Sequence, residues 1–231
     1  MRVAVVIPHR RRDDLLARAV ASVEGYVTLV EDDTAGEGRG FAATANAGLA
    51  KAQKAGHDRV LLLNDDAWLL PGALEAMLDV DAELVGPVLL DPSGRVESAG
   101  LFFSTRTGRL RQMTAVPTGP TEVPALSGAC LLMPSTSRFD LAFRHGMEDI
   151  ELCLRSRGRV VLQPLARCVH VGGATVGRRT RQATREALRG HLRLLRGRPL
   201  QQGLAVGYAL GQVIRERGPA SRLLGLADAL R

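Results

Sequence analysis

The aliphatic run Val60-Leu61-Leu62-Leu63 stops abruptly at Asn64-Asp65-Asp66, and this junction constrains the chain more than any other stretch. A continuous apolar run bounded by turn residues reads as a strand covered on both faces, the mark of a parallel sheet inside an α/β layer structure. In open sheets of that kind the ligand crevice lies outside the carboxyl ends of the strands, so the acids fall at the crevice. Two adjacent carboxylates there repel each other and lose hydration unless a cation joins them. A divalent metal already neutralised by phosphate oxygens would meet that need. An Asp pair capping the helix that Pro71 opens is the purely structural alternative.

The flanking sequence repeats the strand–helix alternation. Residues 3–7 read as a strand ending at Pro8, followed by a helix capped by Asp13 or Asp14 and running to residue 23. Residues 27–30 form the next strand, closed by Glu31-Asp32-Asp33; a glycine-rich loop covers 34–40, an alanine-rich helix 41–55, and a further helix 71–78. Such alternation predicts parallel βαβ units. From about residue 84 to 134 the pattern changes to short strands with turn signals such as Asp91-Pro92-Ser93-Gly94, which predicts an antiparallel or mixed extension.

At 231 residues, 45% of them hydrophobic, the chain can bury a full core. Its apolar runs are far shorter than a bilayer span, and Met1-Arg2 leads directly into a strand-like segment, so the expected location is the cytoplasm. Cys130, Cys153 and Cys168 are widely separated in apolar surroundings and read as buried free thiols. Charge is divided unevenly. Residues 1–150 hold 15 Lys and Arg against 20 Asp and Glu, a net −5, whereas residues 151–231 hold 16 against 4, a net +12. With only 3% aromatic residues there are few platforms for base stacking, so no nucleic-acid partner is expected. The basic tail suits anionic lipid or a phosphate-bearing acceptor instead. Within it Leu188, Leu192 and Leu195 recur at helical spacing, with Arg185, Arg189, Arg193 and Arg196 on other faces, which equally describes a helix packed on the catalytic domain with its arginines in solvent. Gly197-Arg198-Pro199 breaks that helix, and residues 204–214 suggest another, placed at a homodimer contact.

Five segments, in order, resemble the inverting family 2 glycosyltransferases of the GT-A fold, in particular their bacterial rhamnosyl- and galactofuranosyl-transferase-like branch. They are Val5-Val6-Ile7-Pro8, Gly40-Phe41-Ala42-Ala43-Thr44-Ala45-Asn46-Ala47-Gly48-Leu49, Leu62-Leu63-Asn64-Asp65-Asp66-Ala67, Ser127-Gly128-Ala129-Cys130 and Glu148-Asp149-Ile150-Glu151-Leu152-Cys153-Leu154-Arg155. The resemblance spans about residues 3–175. It implies an α/β, Rossmann-like mixed sheet flanked by helices, with a catalytic domain over 1–181 (nucleotide-sugar half about 1–83, acceptor half about 84–181) and a basic helical extension over 182–231. It further implies an enzyme that moves a sugar from a UDP- or dTDP-linked donor to a hydroxyl acceptor with Mn²⁺ or Mg²⁺ bound.

Residue by residue, the resemblance places the metal on Asp66, with Asn64 and Asp65 near the ribose, and makes Asp149 the general base. His170 falls where the family has a histidine after its last core strand; a neutral imidazole can complete a metal shell. Pro8, Arg12, Glu31 and Asp32 carry over as nucleotide contacts at the ends of the first two strands, and Asn46 as an organiser of the adjoining loop. Trp68 beside the acids is a lining residue of the donor pocket or a core residue. Two other functions compete. A nucleotidyltransferase would also use metal-bound acids, but Pro8-His9-Arg10 lacks the glycines of its phosphate loop. A non-catalytic binding module would have no need of Asp149.

Overall fold

Alternation along the first strand decides the layering. In β1 (Val3–His9), Ala4 and Val6 face one side of the sheet and Val5 and Ile7 the other, and all four are fully buried. Strand β3 (Arg59–Leu63) repeats this, with Val60 and Leu62 in one core and Leu61 and Leu63 in the second. Both faces are covered, which is why the run is aliphatic without interruption. The computed structural model describes residues 1–10, 13–35, 38–143, 146–172, 181–215 and 220–230.

Between and after these strands lie α1 (Asp13–Ala21), β2 (Val27–Asp32), α2 (Phe41–Lys54), β4 (Ala67–Leu69), α3 (Ala73–Leu78), β5 (Leu84–Leu90), β6 (Val96–Ser98), β7 (Leu101–Ser104), β8 (Arg109–Gln112), β9 (Thr121–Glu122) and β10 (Cys130–Pro134). The chain then runs through α4 (Glu148–Arg155), β11 (Val160–His170), α5 (Arg181–Leu194), α6 (Pro199–Arg215) and α7 (Ala220–Ala229). Among the described residues nine strands make one sheet along the path β2-β1-β3-β10-β5-β11-β4, with β6 added on β5 and β9 on β11; β7 and β8 form a separate hairpin. Helix α2 packs Ala42, Ala45 and Leu49 into one core, and α1 and α3 send Ala19, Leu74 and Met77 into the other.

Strand direction assembles one functional edge. β1 runs parallel to β2 and β3, β11 runs parallel to β5, and β10 runs antiparallel to both β3 and β5. The carboxyl ends of β1, β2, β3 and β11 and the amino end of β10 therefore share one side. His9 pairs with Asp32, Cys130 with Leu63, and His170 with Ala67 just past the acid pair.

Between the acid pair and the helix expected from residue 71 the chain forms a short strand, β4, which pairs with β11, and Gly72 in a left-handed conformation then starts α3. That places Trp68 in the core, with the Arg18 guanidinium 3.7 Å above its ring. The tail forms three helices around a small core of Leu188, Val213, Leu226 and Ala229. Pro199 opens α6 instead of merely preceding it, since a first-turn proline lacks only an N–H that would go unbonded anyway. His191 holds the tail to the β7–β8 hairpin through the Gly108 carbonyl at 2.7 Å.

Gly48 sits where α2 crosses β1 most closely. A Cβ there would overlap the Val6 Cγ1 methyl and touch Glu31 Cγ at 3.0 Å. Gly48→Ala is therefore expected to overpack the sheet and cost about 1–3 kcal/mol, lowering the melting temperature by roughly 3–10 °C in a scanning-calorimetry run. An unchanged or raised melting temperature would show that the helix can retreat without loss.

Candidate active site

The first two strand ends build a rigid polar cradle. Asp65, buried behind Asn64, accepts from the backbone N–H of Arg10 at 2.9 Å, and its Oδ2 lies 2.9 Å from His9 Nδ1; the other ring nitrogen of His9 reaches Asp13 at 2.7 Å. Past β2 it is Asp33 that turns inward. Its carboxylate accepts from the backbone N–H groups of Arg39 (2.7 Å) and Gly40 (3.2 Å), and the Arg10 guanidinium bonds its carbonyl. Burial pushes this carboxyl up, but those backbone donors outweigh burial and hold it below the ordinary value, so Asp33 is a fixed anion. Gly40, with φ of 92°, makes the bend into α2 that an L side chain would resist.

Ser127, Gly128 and Ala129 form the floor. Asn64 N–H donates to the Ala129 carbonyl at 2.9 Å, and Gly128 N–H donates to Asp149 Oδ2 at 2.9 Å. Close approach of the Gly128 backbone requires the missing side chain: a Cβ would sit 3.3 Å from the Asp149 Cβ. Asp149 and Glu148 occupy the first turn of α4, which is tied to the chain before it by the Arg155 guanidinium donating to the Arg138 carbonyl at 2.7 Å. Met147, immediately before them, has φ of 72°, alone among the described non-glycine residues in being positive. Left-handed backbone at such a residue costs about 1–3 kcal/mol and persists only where the surroundings impose it. Here it aims the acid pair at the cavity.

The two acids are unequal. Burial raises the Asp149 carboxyl, and the N–H groups of Gly128 and Ile150 offset only part of that rise. Burial, together with the neighbouring Asp149 charge, pushes Glu148 up to about 8, and its Oε2 is buried without a hydrogen-bond partner among the described residues. Asp149 thus ionises first and Glu148 keeps its proton at neutral pH. Both line a cavity of about 440 Å³ shared with Pro8, Asp33, Asn64 and His170, and both also line a second cavity of about 620 Å³ beneath the tail helices.

Asp66 and His170 meet at the next strand ends, with Asp66 Oδ1 3.5 Å from His170 Nε2 and Glu97 Oε2 3.0 Å from His170 Nδ1. Burial would lower the imidazole, yet its bonds to Asp66 and Glu97 outweigh this and raise it to about 9. Among the described residues no three His, Cys, Asp or Glu side chains converge at metal-binding spacing. One carboxylate and one imidazole nitrogen nonetheless face each other beside Asn64, whose Oδ1 is buried without a partner among the described residues. That donor set fits a hard divalent cation that would displace the extra imidazole proton on binding and complete its shell with oxygens from a bound diphosphate and water.

Of the residues expected from sequence, Pro8, Asn64, Asp65, Asp149 and His170 line the first cavity, and Asp66 stands behind it against His170. Three do not reach it. Glu31 is buried on the α2 side in an ion pair with Lys51 at 2.8 Å, because its place in the β2 pleat points it at the helix. Asp32 is exposed and accepts from Thr34 N–H at 2.8 Å, which makes it a turn residue. Asn46 bonds Phe139 through both its amide nitrogen and its oxygen, tying α2 to the segment before α4. Arg12 lies outside the described residues. Sequence reasoning passed over His9, Asp33, Glu97 and Glu148 as site residues. The first, second and fourth adjoin residues it did name, whereas nothing local marks Glu97.

No family model and no curated protein sequence matches the chain. Likeness appears among solved structures. GalNAc-T7, solved with UDP, GalNAc and Mn²⁺, superposes with a TM-score of 0.62 at 14% identity over 84% of this chain. The fold is GT-A. TarS of S. aureus, residues 1–349, solved with UDP-GlcNAc, gives a TM-score of 0.56 at 12% identity, covering 93% of this chain and 73% of its own; the same region with UDP gives 0.54 at 11%. Both proteins are GT-A glycosyltransferases. This chain spans 47% of the GalNAc-T7 chain. In GT-A terms the first cavity occupies the edge where the parallel strands end, and the acid pair of α4 lies across it from β1 and β2.

Proposed function

We propose that the chain is an inverting, metal-dependent glycosyltransferase, related to the family 2 rhamnosyl- and galactofuranosyl-transferase-like branch, that moves a sugar from UDP- or dTDP-sugar to a hydroxyl acceptor. The observation that carries this reading is the position of Asp149 on the wall common to two cavities. A donor in the first and an acceptor in the second would meet at its carboxylate.

The residues divide the work by their chemistry. Asp33 and the β1 end hold the nucleoside, with Asp65 locked by His9 so that the Arg10 backbone keeps one position. Asp66 and His170 would hold the cation, and Asn64 Oδ1 offers the nearby acceptor that ribose or bound water would satisfy. A divalent cation, when bound, neutralises the charge that grows on the departing diphosphate. Ionised Asp149 takes the proton from the acceptor hydroxyl as that oxygen bonds to the anomeric carbon. The carbon–oxygen bond to the diphosphate breaks, the nucleoside diphosphate leaves with the electron pair, and attack from the opposite face inverts the centre. Protonated Glu148 is an O–H donor beside Asp149 and adds no second negative charge to it.

Titrating UDP-, dTDP- and GDP-sugars with and without Mn²⁺ by calorimetry tests the reading. Mn²⁺-dependent binding of a UDP- or dTDP-sugar is expected; binding indifferent to both nucleotide and metal would reject it. Within that assay Asp33→Ala should weaken nucleotide affinity about 10–100-fold, the worth of one or two hydrogen bonds to a charged group. An effect under threefold would return Asp33 to a loop-bracing role.

A further inference from the structure

The outward face of α6 is built backwards for a helix in water. Its inward positions are small: Val213 is buried against α5 and α7 with Val206 and Ala209 beside it, and Ala205 is buried in the larger core with Leu195 and Phe103. Its outward positions are the large apolar ones: Leu200 is 71% exposed, Leu204 54% and Ile214 64%, with Tyr208 between. Gly203, Gly207 and Gly211 fill the same stripe, and a Cβ on any of them would meet nothing within 4 Å. Over 17 residues, about 25 Å of helix, Arg215 is the only charged side chain in its sequence. Helix α7 continues the pattern with exposed Leu223 and Leu224, followed by Leu230 just beyond it. An exposed apolar surface of this continuity marks a docking face.

A basic recess lies at the junction of the same three tail helices. Arg189, Arg193 and Arg196 of α5 and the turn after it converge with Gln202 of α6 and Ala229 of α7 around a hollow of about 480 Å³. All three arginines are exposed at the surface.

We propose that α6 and α7 seat the protein on an anionic bilayer, the apolar stripe entering the headgroup–acyl boundary and the arginine recess taking lipid phosphates. Apolar area plus attraction to anionic headgroups is what holds a helix in that plane. No described helix is long and apolar enough to cross a membrane, so the contact lies along the surface. Charge argues against a second copy as the occupant: an isologous pair would bring each basic recess towards its own image. Sequence alone leaves the α5 arginines open to lipid or solvent and residues 204–214 open to a homodimer contact; on this proposal both stretches meet one lipid surface. This inference is independent of the transfer reaction.

Flotation of the full chain with phosphatidylcholine vesicles, with and without phosphatidylglycerol, tests it. Wild-type protein should float with the anionic vesicles and far less with the neutral ones. The double variant Leu204→Glu/Ile214→Glu should lose at least about tenfold in the bound-to-free ratio, with unchanged circular dichroism because both sites are exposed. Arg193→Gln/Arg196→Gln should bind less and lose most of its dependence on salt, since screening acts on the headgroup attraction it removes. Failure of wild-type protein to float with anionic vesicles at about 0.1 M salt overturns the proposal, as does a double variant that floats equally well. Should sedimentation instead show a dimer that Leu204→Glu/Ile214→Glu dissociates, with no vesicle binding, the face belongs to a second copy and the proposal is likewise overturned.

Discussion

Asp149→Asn is expected to lower turnover by about two to four orders of magnitude while donor affinity stays within about threefold. Asparagine keeps the size of the side chain and can still accept from the Gly128 N–H, so the 2.9 Å contact that positions the group survives. What it cannot do is take a proton. Glu148→Gln is the matched control: the carboxyl pushed up to about 8 is already neutral at pH 7, so the amide should retain most of the activity. Thermal stability separates the two further. In the unfolded chain Glu148 ionises near 4.5, so between that pH and about 8 the folded protein binds the extra proton, and stability falls as pH rises through the window. Glu148→Gln should flatten that slope. Wild-type turnover in Asp149→Asn, measured as donor consumption by the folded variant, would remove Asp149 from the chemistry and leave the acids of α4 as ordinary first-turn residues favoured by the helix dipole.

Local pattern carried much of this architecture. The runs at Val3–His9 and Arg59–Leu63 announce two-faced burial in their composition, and the two βαβ units follow from spacing alone. At the ends of strands the sequence is less decisive because side chains alternate: a shift of one residue exchanges the inward and outward faces. Among Glu31, Asp32 and Asp33 three acids compete for one inward place. Glu31 is drawn to Lys51 on α2, Asp32 turns to Thr34, and Asp33 reaches the cavity only because the chain bends at Gly40 to present two N–H groups to it. Glu97 illustrates the opposite limit. It stands 73 residues from His170 and meets it because β6 adds to β5, which runs beside β11; no periodicity records that pairing. The left-handed backbone at Met147 is equally silent in the sequence, since methionine has no preference for it.

Removing the carboxylate charge at Asp66 should abolish metal-dependent donor binding, with Asp66→Asn weakening Mn²⁺ affinity in the presence of UDP or dTDP by at least about a hundredfold. The expectation rests on how few donors the site has. With Asp66 and His170 supplying one oxygen and one nitrogen, 3.5 Å apart, the protein contributes a minority of any cation's shell, and Asp66 brings its only formal charge. Asp65 is held in place by the His9 ring and the Arg10 N–H on its Oδ2, so that oxygen is already committed. The fold should tolerate the change: Asp66 lies past the end of β3, its backbone carbonyl still accepts from Val171 N–H at 3.0 Å, and asparagine preserves the volume. A melting temperature within a few degrees of wild type is therefore expected. His170→Ala gives the complementary result, a loss in Mn²⁺ affinity together with loss of imidazole nitrogen modulation from the Mn²⁺ electron-spin-echo spectrum. Undiminished Mn²⁺ binding by both variants would move the metal away from this strand edge, and retention by Asp66→Asn with loss in His170→Ala would shift the anchoring role to the imidazole and its Glu97 partner.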